Sequence, residues 1–280
     1  MMDPGTMLSF LKEDMPFGDL TSEAVIPADL TASAVIRAKE ACVIAGLEEA
    51  AFLFDHLGAG VVTPVKDGDA VAAGTIVMEI RGPARAVLAA ERTALNIIGR
   101  MSGIATAARE AVDAVRAVDP VVRVASTRKT CPGLRTLDKK AAMLGGAVSH
   151  RFSLSDMVMI KDNHLALVGL EEAVRRAKAH SPYHKVEVEV ESAKDAVRAA
   201  EYGADIVLLD NMTPEGVREA VAALMAAGQR DNVVVEISGG VSRATLPLYA
   251  GAGADIISMG ALTHSVRNVD VGLDVVPDGE

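Results

Sequence analysis

The chain has no tryptophan, and only three tyrosines and five phenylalanines among its 280 residues. Its core must therefore be assembled from Ala, Val, Leu, Ile and Met, a composition that suits parallel strands buried under helices. Scarce aromatics also remove the stacking surfaces that hold single-stranded nucleic acid. Positive charge is short as well: 28 Lys and Arg against 38 Asp and Glu leave a formal charge of −10. Phosphate backbones are bound by clustered cations, so nucleic acid is not an expected partner. The two cysteines, Cys42 and Cys131, stand in no metal-ligand spacing. They read as reduced thiols of a cytoplasmic protein. No apolar run reaches the roughly 18 residues that a spanning helix needs. The first twenty residues, MMDPGTMLSFLKEDMPFGDL, carry acidic groups and no apolar stretch, which does not read as a secretory leader.

From about residue 120 the pattern becomes rhythmic. Short β-branched runs at Val121–Ser126, Met157–Lys161, Val186–Val190, Asp205–Leu209, Asn232–Ile237 and Asp255–Met259 alternate, in the later part, with helical periodicity at 170–180, 193–202 and 214–227. Thr213 followed by Pro214 reads as a helix cap and first turn. Gly203, Gly228 and Gly253 fall where helices should stop. Such repetition predicts right-handed βαβ units and a parallel sheet of about six strands, either a short barrel or an open doubly wound sheet. In both cases ligands collect at the C-terminal ends of the strands. The first ~105 residues differ. A short helix is expected at 6–14, a strand at 32–38, a helix at 47–57, two alternating segments within 61–81, and a long Ala- and Leu-rich helix over 83–99. This predicts a separate α/β domain at 1–105 and a barrel domain at 106–265, with the tail 266–280 a candidate to return to the first.

Charge is unevenly spread. Residues 121–164 hold eight basic groups (Arg123, Arg128, Lys129, Arg135, Lys139, Lys140, Arg151, Lys161) and three acidic ones (Asp138, Asp156, Asp162), a local excess of +5 in a chain of −10. An acidic protein that gathers cations at strand ends is expected to bind an anionic small molecule there. Arg offers bidentate forks and Lys point charges. For Lys139 and Lys140, on an expected helix, a solvated face is the plainer reading.

The segment 126–164, STRKTCPGLRTLDKKAAMLGGAVSHRFSLSDMVMIKDNH, carries TRKT-x-PGLR, a Gly pair, HR and IKDNH in that order. It closely resembles the signature of the quinolinate phosphoribosyltransferases. GDLT at 18–21, ERTALN at 91–96, SGIAT at 102–106, EVEV at 187–190, LDN at 209–211, SGG at 238–240 and GALTHS at 260–265 extend the resemblance over nearly the whole chain. One departure is Ser126, where the family commonly has Asp.

The resemblance implies an N-terminal α/β sandwich domain followed by an incomplete α/β barrel of about six strands. It implies an obligate homodimer with a shared active site, which in the family also builds hexamers. The implied activity is transfer of phosphoribose from phosphoribosyl pyrophosphate (PRPP) to quinolinate with decarboxylation. Arg128, His150 and Arg151, with Lys129 and Lys161, would line the quinolinate pocket, and Arg92 would enter from the partner subunit. Glu189 and Asp210 would face PRPP and its Mg²⁺. Ser238, Gly239, Gly240, Gly260 and His264 would hold the 5′-phosphate. Of these, Lys129, Lys161, Glu189 and Asp210 are the expected catalytic groups.

The chemistry needs these residue types. Quinolinate is a dianion and PRPP is more negative still, so one cavity holding both requires several fixed cations. As pyrophosphate leaves, the ribose becomes oxocarbenium-like, and carboxylates stabilise that charge or hold Mg²⁺. Glycines after a strand leave backbone N–H groups accessible to a phosphate.

Plainer readings stand beside several assignments. Isolated, His150 would pass for a core histidine. Asp210 would pass for a turn cap, and SGG for an ordinary turn. One of Glu187 and Glu189 is open to being solvent-facing. Asp162, Asn163 and His164 are expected to hold their loop, Asn96 and Ser102 to serve packing or dimer contacts, and Cys131 to be inert. A paralogous transferase with another acceptor and a non-catalytic anion-binding protein are the competing functions. The former is disfavoured by the intact KDNH, the latter by the acids Glu189 and Asp210.

Overall fold

The computed structural model describes residues 3–276. The chain divides into two compact units. One comprises the chain up to Arg109, Pro132–Gly146 and the segment from Val266 onward; the other comprises Glu110–Cys131 and Ala147–Ser265.

The first unit is built on a four-stranded sheet in the order Val271–Val276, Thr31–Ala38, Ile76–Pro83, Gly60–Val62, all antiparallel. Alternation sets its inner face: Ala34, Ile36 and Ala38 of one strand are buried with Met78 and Ile80 of its neighbour. Phe54 and Ala50 of the helix Leu47–His56, and Val87, Ala90 and Ala94 of the next helix, close this core. The C-terminal strand pairs with Thr31–Ala38 in register, Ser33 opposite Val276 and Ala38 opposite Val271. Residues 277–280 of the tail lie outside the described residues.

The long helix is longer than the periodicity suggests. It was expected over 83–99 and runs over Ala84–Arg116, through Gly99, Ser102 and Gly103. These small residues form a packing face. A β-carbon on Gly103 would lie 2.1 Å from the carbonyl oxygen of Arg267, and one on Gly99 would lie 3.0 Å from that of Val269. Ser102 is fully buried; its hydroxyl accepts from the Ala45 N–H at 2.9 Å and donates to the Ala45 carbonyl at 3.2 Å. Ser102 therefore serves packing.

The second unit holds an all-parallel sheet whose spatial order is Val148–Ser149, Arg123–Ser126, Ile256–Met259, Val234–Ser238, Ile206–Asp210, Val186–Val190, Val158–Ile160. Six strands were expected and seven are present. Val148–Ser149 escapes pattern reading because two residues carry no period. The helices Ala193–Glu201 and Pro214–Ala226 start as the sequence suggests. The Ser192 hydroxyl accepts from the Asp195 N–H at 3.1 Å and the Thr213 hydroxyl from the Gly216 N–H at 3.2 Å. Because every strand runs the same way, Ser126, His150, Lys161, Glu189, Asp210 and Ser238 all fall at one end of the sheet. Among the described residues no helix is long and apolar enough to cross a membrane.

Candidate active site

At that end a cavity of about 430 Å³ opens in the second unit, within the usual size of small-molecule sites. Arg128 and Lys129 reach it from the segment after Arg123–Ser126, and His150 and Arg151 from the end of Val148–Ser149. Lys161, Glu189 and Asp210 come from three successive strands, and Ser238, Gly239 and Gly240 from a fourth. Ten of the thirteen expected site residues thus meet in one place. Gly260 and His264 do not line the cavity, though a β-carbon on Gly260 would lie 2.9 Å from the Lys129 side chain. Arg92 does not line it either; it is exposed on the long helix of the first unit.

Half of the expected cationic cluster is elsewhere. Lys140 is not solvated: its ammonium lies 2.5 Å from Glu48, 2.7 Å from Glu49 and 3.7 Å from Asp67, all within the first unit. Lys139 is buried, against the expectation of a solvated face. Both belong to the helix Arg135–Leu144, which folds with the first unit. The cavity keeps Arg128, Lys129, Arg151 and Lys161.

The two guanidinium groups are the centre of its electrostatics. The Nε of Arg128 is buried with no hydrogen-bond partner among the described residues. Arg151 is held below the usual arginine range, first by burial and then by the positive charge of Arg128. Two arginines so placed repel each other, and an anion between them would relieve that repulsion. Lys161 is engaged instead, its ammonium in direct contact with the Glu189 carboxylate. Its backbone N–H donates to Nδ1 of His164 at 3.0 Å, and Asp162 accepts from the Asn163 N–H at 2.7 Å. Asp162, Asn163 and His164 therefore act as the helix start that fixes Lys161, as expected, and they do not line the cavity.

Below lies a buried acidic layer. Glu187 and Glu189 are two apart on one strand and share a face. The open question about them resolves inward: Glu187 is fully buried, and its Oε2 lies 2.9 Å from Nε2 of His150. Glu236, from Val234–Ser238, lies 3.7 Å from the same nitrogen and accepts a hydrogen bond from the Ser258 hydroxyl. Burial, reinforced by the negative charge of Glu187, pushes the Glu236 carboxyl up to about 7, against the pull of His150 and Ser258. Glu236 went unnoticed in the sequence. Its signal was an acid inside the apolar run NVVVEI, where a buried charge needs a partner.

The folded-state pKa of Glu236 exceeds its unfolded value, so the native state binds the extra proton between about pH 4.5 and 7, and stability falls as pH rises through that window. E236Q mimics the protonated form. It is expected to match the wild type below pH 5 and to melt higher at pH 8, by on the order of 5 °C. A constant gap in melting temperature across pH 5–8 would contradict the shift.

The last element is the phosphate-sized turn. Gly239 and Gly240 both have positive φ, +83° and +63°, and their backbone N–H groups carry no side chain that would bar a phosphate. Residues 104–274 match the quinolinate phosphoribosyl transferase C-terminal domain, and 19–102 match the N-terminal domain. The chain belongs to this family.

Other comparisons agree on the quinolinate phosphoribosyltransferase family. The chain is 46% identical over 277 residues to the probable nicotinate-nucleotide pyrophosphorylase (carboxylating) of Methanothermobacter thermautotrophicus, covering 98% of this chain and 99% of that one. It is 42% identical to the Homo sapiens nicotinate-nucleotide pyrophosphorylase (carboxylating), covering 95% and 89%. The crystal structure of NadC from Streptococcus pyogenes superposes with a TM-score of 0.90 at 37% identity, over 98% and 96% of the two chains. Ser126, which stands where the family commonly has Asp, is buried at its strand end, and its carbonyl accepts from the His150 N–H at 3.3 Å.

Proposed function

We propose that this chain transfers the phosphoribosyl group of PRPP to the ring nitrogen of quinolinate, giving nicotinate mononucleotide, pyrophosphate and CO₂. The pair Arg128 and Arg151 carries this reading: two guanidinium groups share one cavity, one with a buried donor unmet and the other held below its usual range. A dicarboxylate supplies one anion for each fork. A monocarboxylate such as nicotinate would leave one unmatched.

With quinolinate on the two arginines, Lys129 and Lys161 add point charges beside its carboxylates, and the Ser238-Gly239-Gly240 turn offers backbone N–H groups to the 5′-phosphate. The C1′–oxygen bond to pyrophosphate breaks as the ring nitrogen bonds to C1′. Glu189 and Asp210 are placed for the positive charge that develops on the ribose. The C2–carboxylate bond then breaks, its electron pair is stabilised by the quaternised nitrogen, and C2 takes a proton as CO₂ leaves.

Glu189, next to last in Val186–Val190, and Asp210, last in Ile206–Asp210, stand on adjacent strands and line the same cavity. Two oxygen donors beside a polyphosphate are the set that Mg²⁺ takes, and the residues fit that ion. Bound there, Mg²⁺ would supply charge neutralisation on the departing pyrophosphate. Incubation with quinolinate, PRPP and Mg²⁺, with nicotinate in parallel, tests the reading. Nicotinate mononucleotide from quinolinate alone supports it; product from nicotinate alone reassigns the pocket.

The reading includes a homodimer in which Arg92 of the partner subunit completes the site, supported by the exposed position of this residue outside the cavity. Inactive R92A and R128A variants, mixed and allowed to exchange subunits, are expected to regain up to about a quarter of wild-type activity, since half of the dimers are mixed and each carries one intact site. No recovery despite demonstrated exchange would rule out the shared site. It also includes a cytoplasmic location, which suits the free thiols of Cys42 and Cys131.

A further inference from the structure

We propose that Asn211 is a positioning residue that acts through Asp210 and the phosphate turn at once. The inference rests on the role given above to Asp210. Asn211 is the one non-glycine residue with positive φ among the described residues, at +54°. L-residues avoid that region, and Asn is among the few that enter it. Its position accounts for the tolerance. It follows Asp210 at the end of Ile206–Asp210, and its backbone N–H donates to the Ser238 carbonyl at 2.9 Å, joining two neighbouring strand ends. The left-handed turn then brings the carboxamide back over its own predecessor. Nδ2 donates to Oδ2 of Asp210 at 2.6 Å. The reverse amide orientation would set two acceptors against each other, so the carboxylate fixes the flip.

The other end of the carboxamide lies on the turn. A β-carbon on Gly239 would meet Oδ1 of Asn211 at 2.3 Å and its backbone nitrogen at 2.8 Å. Gly239 is thus required by Asn211 as well as by its own φ. Asn211 lines the cavity together with Asp210, Gly239 and Gly240. One side chain therefore sets the direction of the acid that faces the ribose and the seat of the loop that holds the phosphate. Both contacts bear on PRPP, and neither touches the arginines that take quinolinate.

The test separates backbone from amide. N211G keeps the left-handed turn without strain and removes the carboxamide. N211D keeps the shape and replaces the donor with a second carboxylate beside Asp210. Both are expected to melt within about 3 °C of the wild type, with kcat down about 10-fold or more, KM for PRPP raised and KM for quinolinate unchanged. D210A/N211G is expected to be slower than D210A only by the share carried through the turn, and so by less than the full loss seen in N211G alone, because the rest of the amide's effect passes through the acid. Wild-type kcat and PRPP KM in N211G would overturn the inference, leaving the residue a mere turn former. Independent, multiplying losses in the double variant would overturn it too, as would joint loss of melting temperature and quinolinate affinity in both single variants. Full activity in D210A alone would instead overturn the role of Asp210, an outcome separable because it does not involve Asn211.

Discussion

The double variant E189A/D210A is expected to bind quinolinate and to lose turnover by at least about 10³-fold, as removal of transition-state electrostatics typically costs 10² or more per group. The two carboxylates line the cavity but do not belong to its arginine pair. Quinolinate affinity should therefore survive. It should even strengthen, because Glu189 holds the Lys161 ammonium in the free protein and its removal releases that charge toward a dianion. Titration calorimetry with quinolinate and a product assay read the two effects separately. A kcat within tenfold of wild type would remove both acids from the reaction. Loss of binding and turnover together would mean that they hold the pocket rather than serve the chemistry.

The second large effect is expected from Arg128→Ala. Its buried Nε has no partner among the described residues, which leaves it available to a bound carboxylate. Removing a charge-assisted fork from a desolvated carboxylate costs about 3 kcal/mol, or about 100-fold in affinity. Arg128→Lys keeps the charge and loses the fork, so it is expected to fall between the two. The prediction concerns quinolinate; PRPP affinity is expected to change far less. Unaltered quinolinate affinity in R128A would displace the acceptor from the arginines.

The site was legible where chemistry is concentrated in short segments at strand ends. TRKT, HR and KDNH each place two or more polar groups next to a β run, and all of them arrive where a parallel sheet puts its ligands. It was illegible where a side chain's role depends on what comes to meet it. Lys139 and Lys140 look like a solvated face, yet one is buried and the other is clasped by Glu48, Glu49 and Asp67, far away in the chain. Glu187 alternates with Glu189 in a way that leaves one of them free to face water, and the fold turns both inward. Gly99 and Gly103 carry a local cost in a helix, about 1 kcal/mol each, which is offset by a close backbone approach from residues 267–269 that no local pattern signals.

By itself, then, the sequence determined the periodic elements, the parallel sheet and the cations and acids at its ends. These follow from local propensity, apolar period and the order of motifs, all of which are properties of neighbouring residues. Tertiary structure alone decided the seventh strand, the full length of the helix Ala84–Arg116, the buried layer of Glu187, Glu236 and His150, and the left-handed Asn211 over Gly239. Each of these is locally unfavourable or unsignalled: a two-residue strand, glycines in a helix, acids without water, an L-residue at positive φ. Each persists because contacts from distant segments offset its cost, and such contacts are set by the fold rather than by the residues on either side.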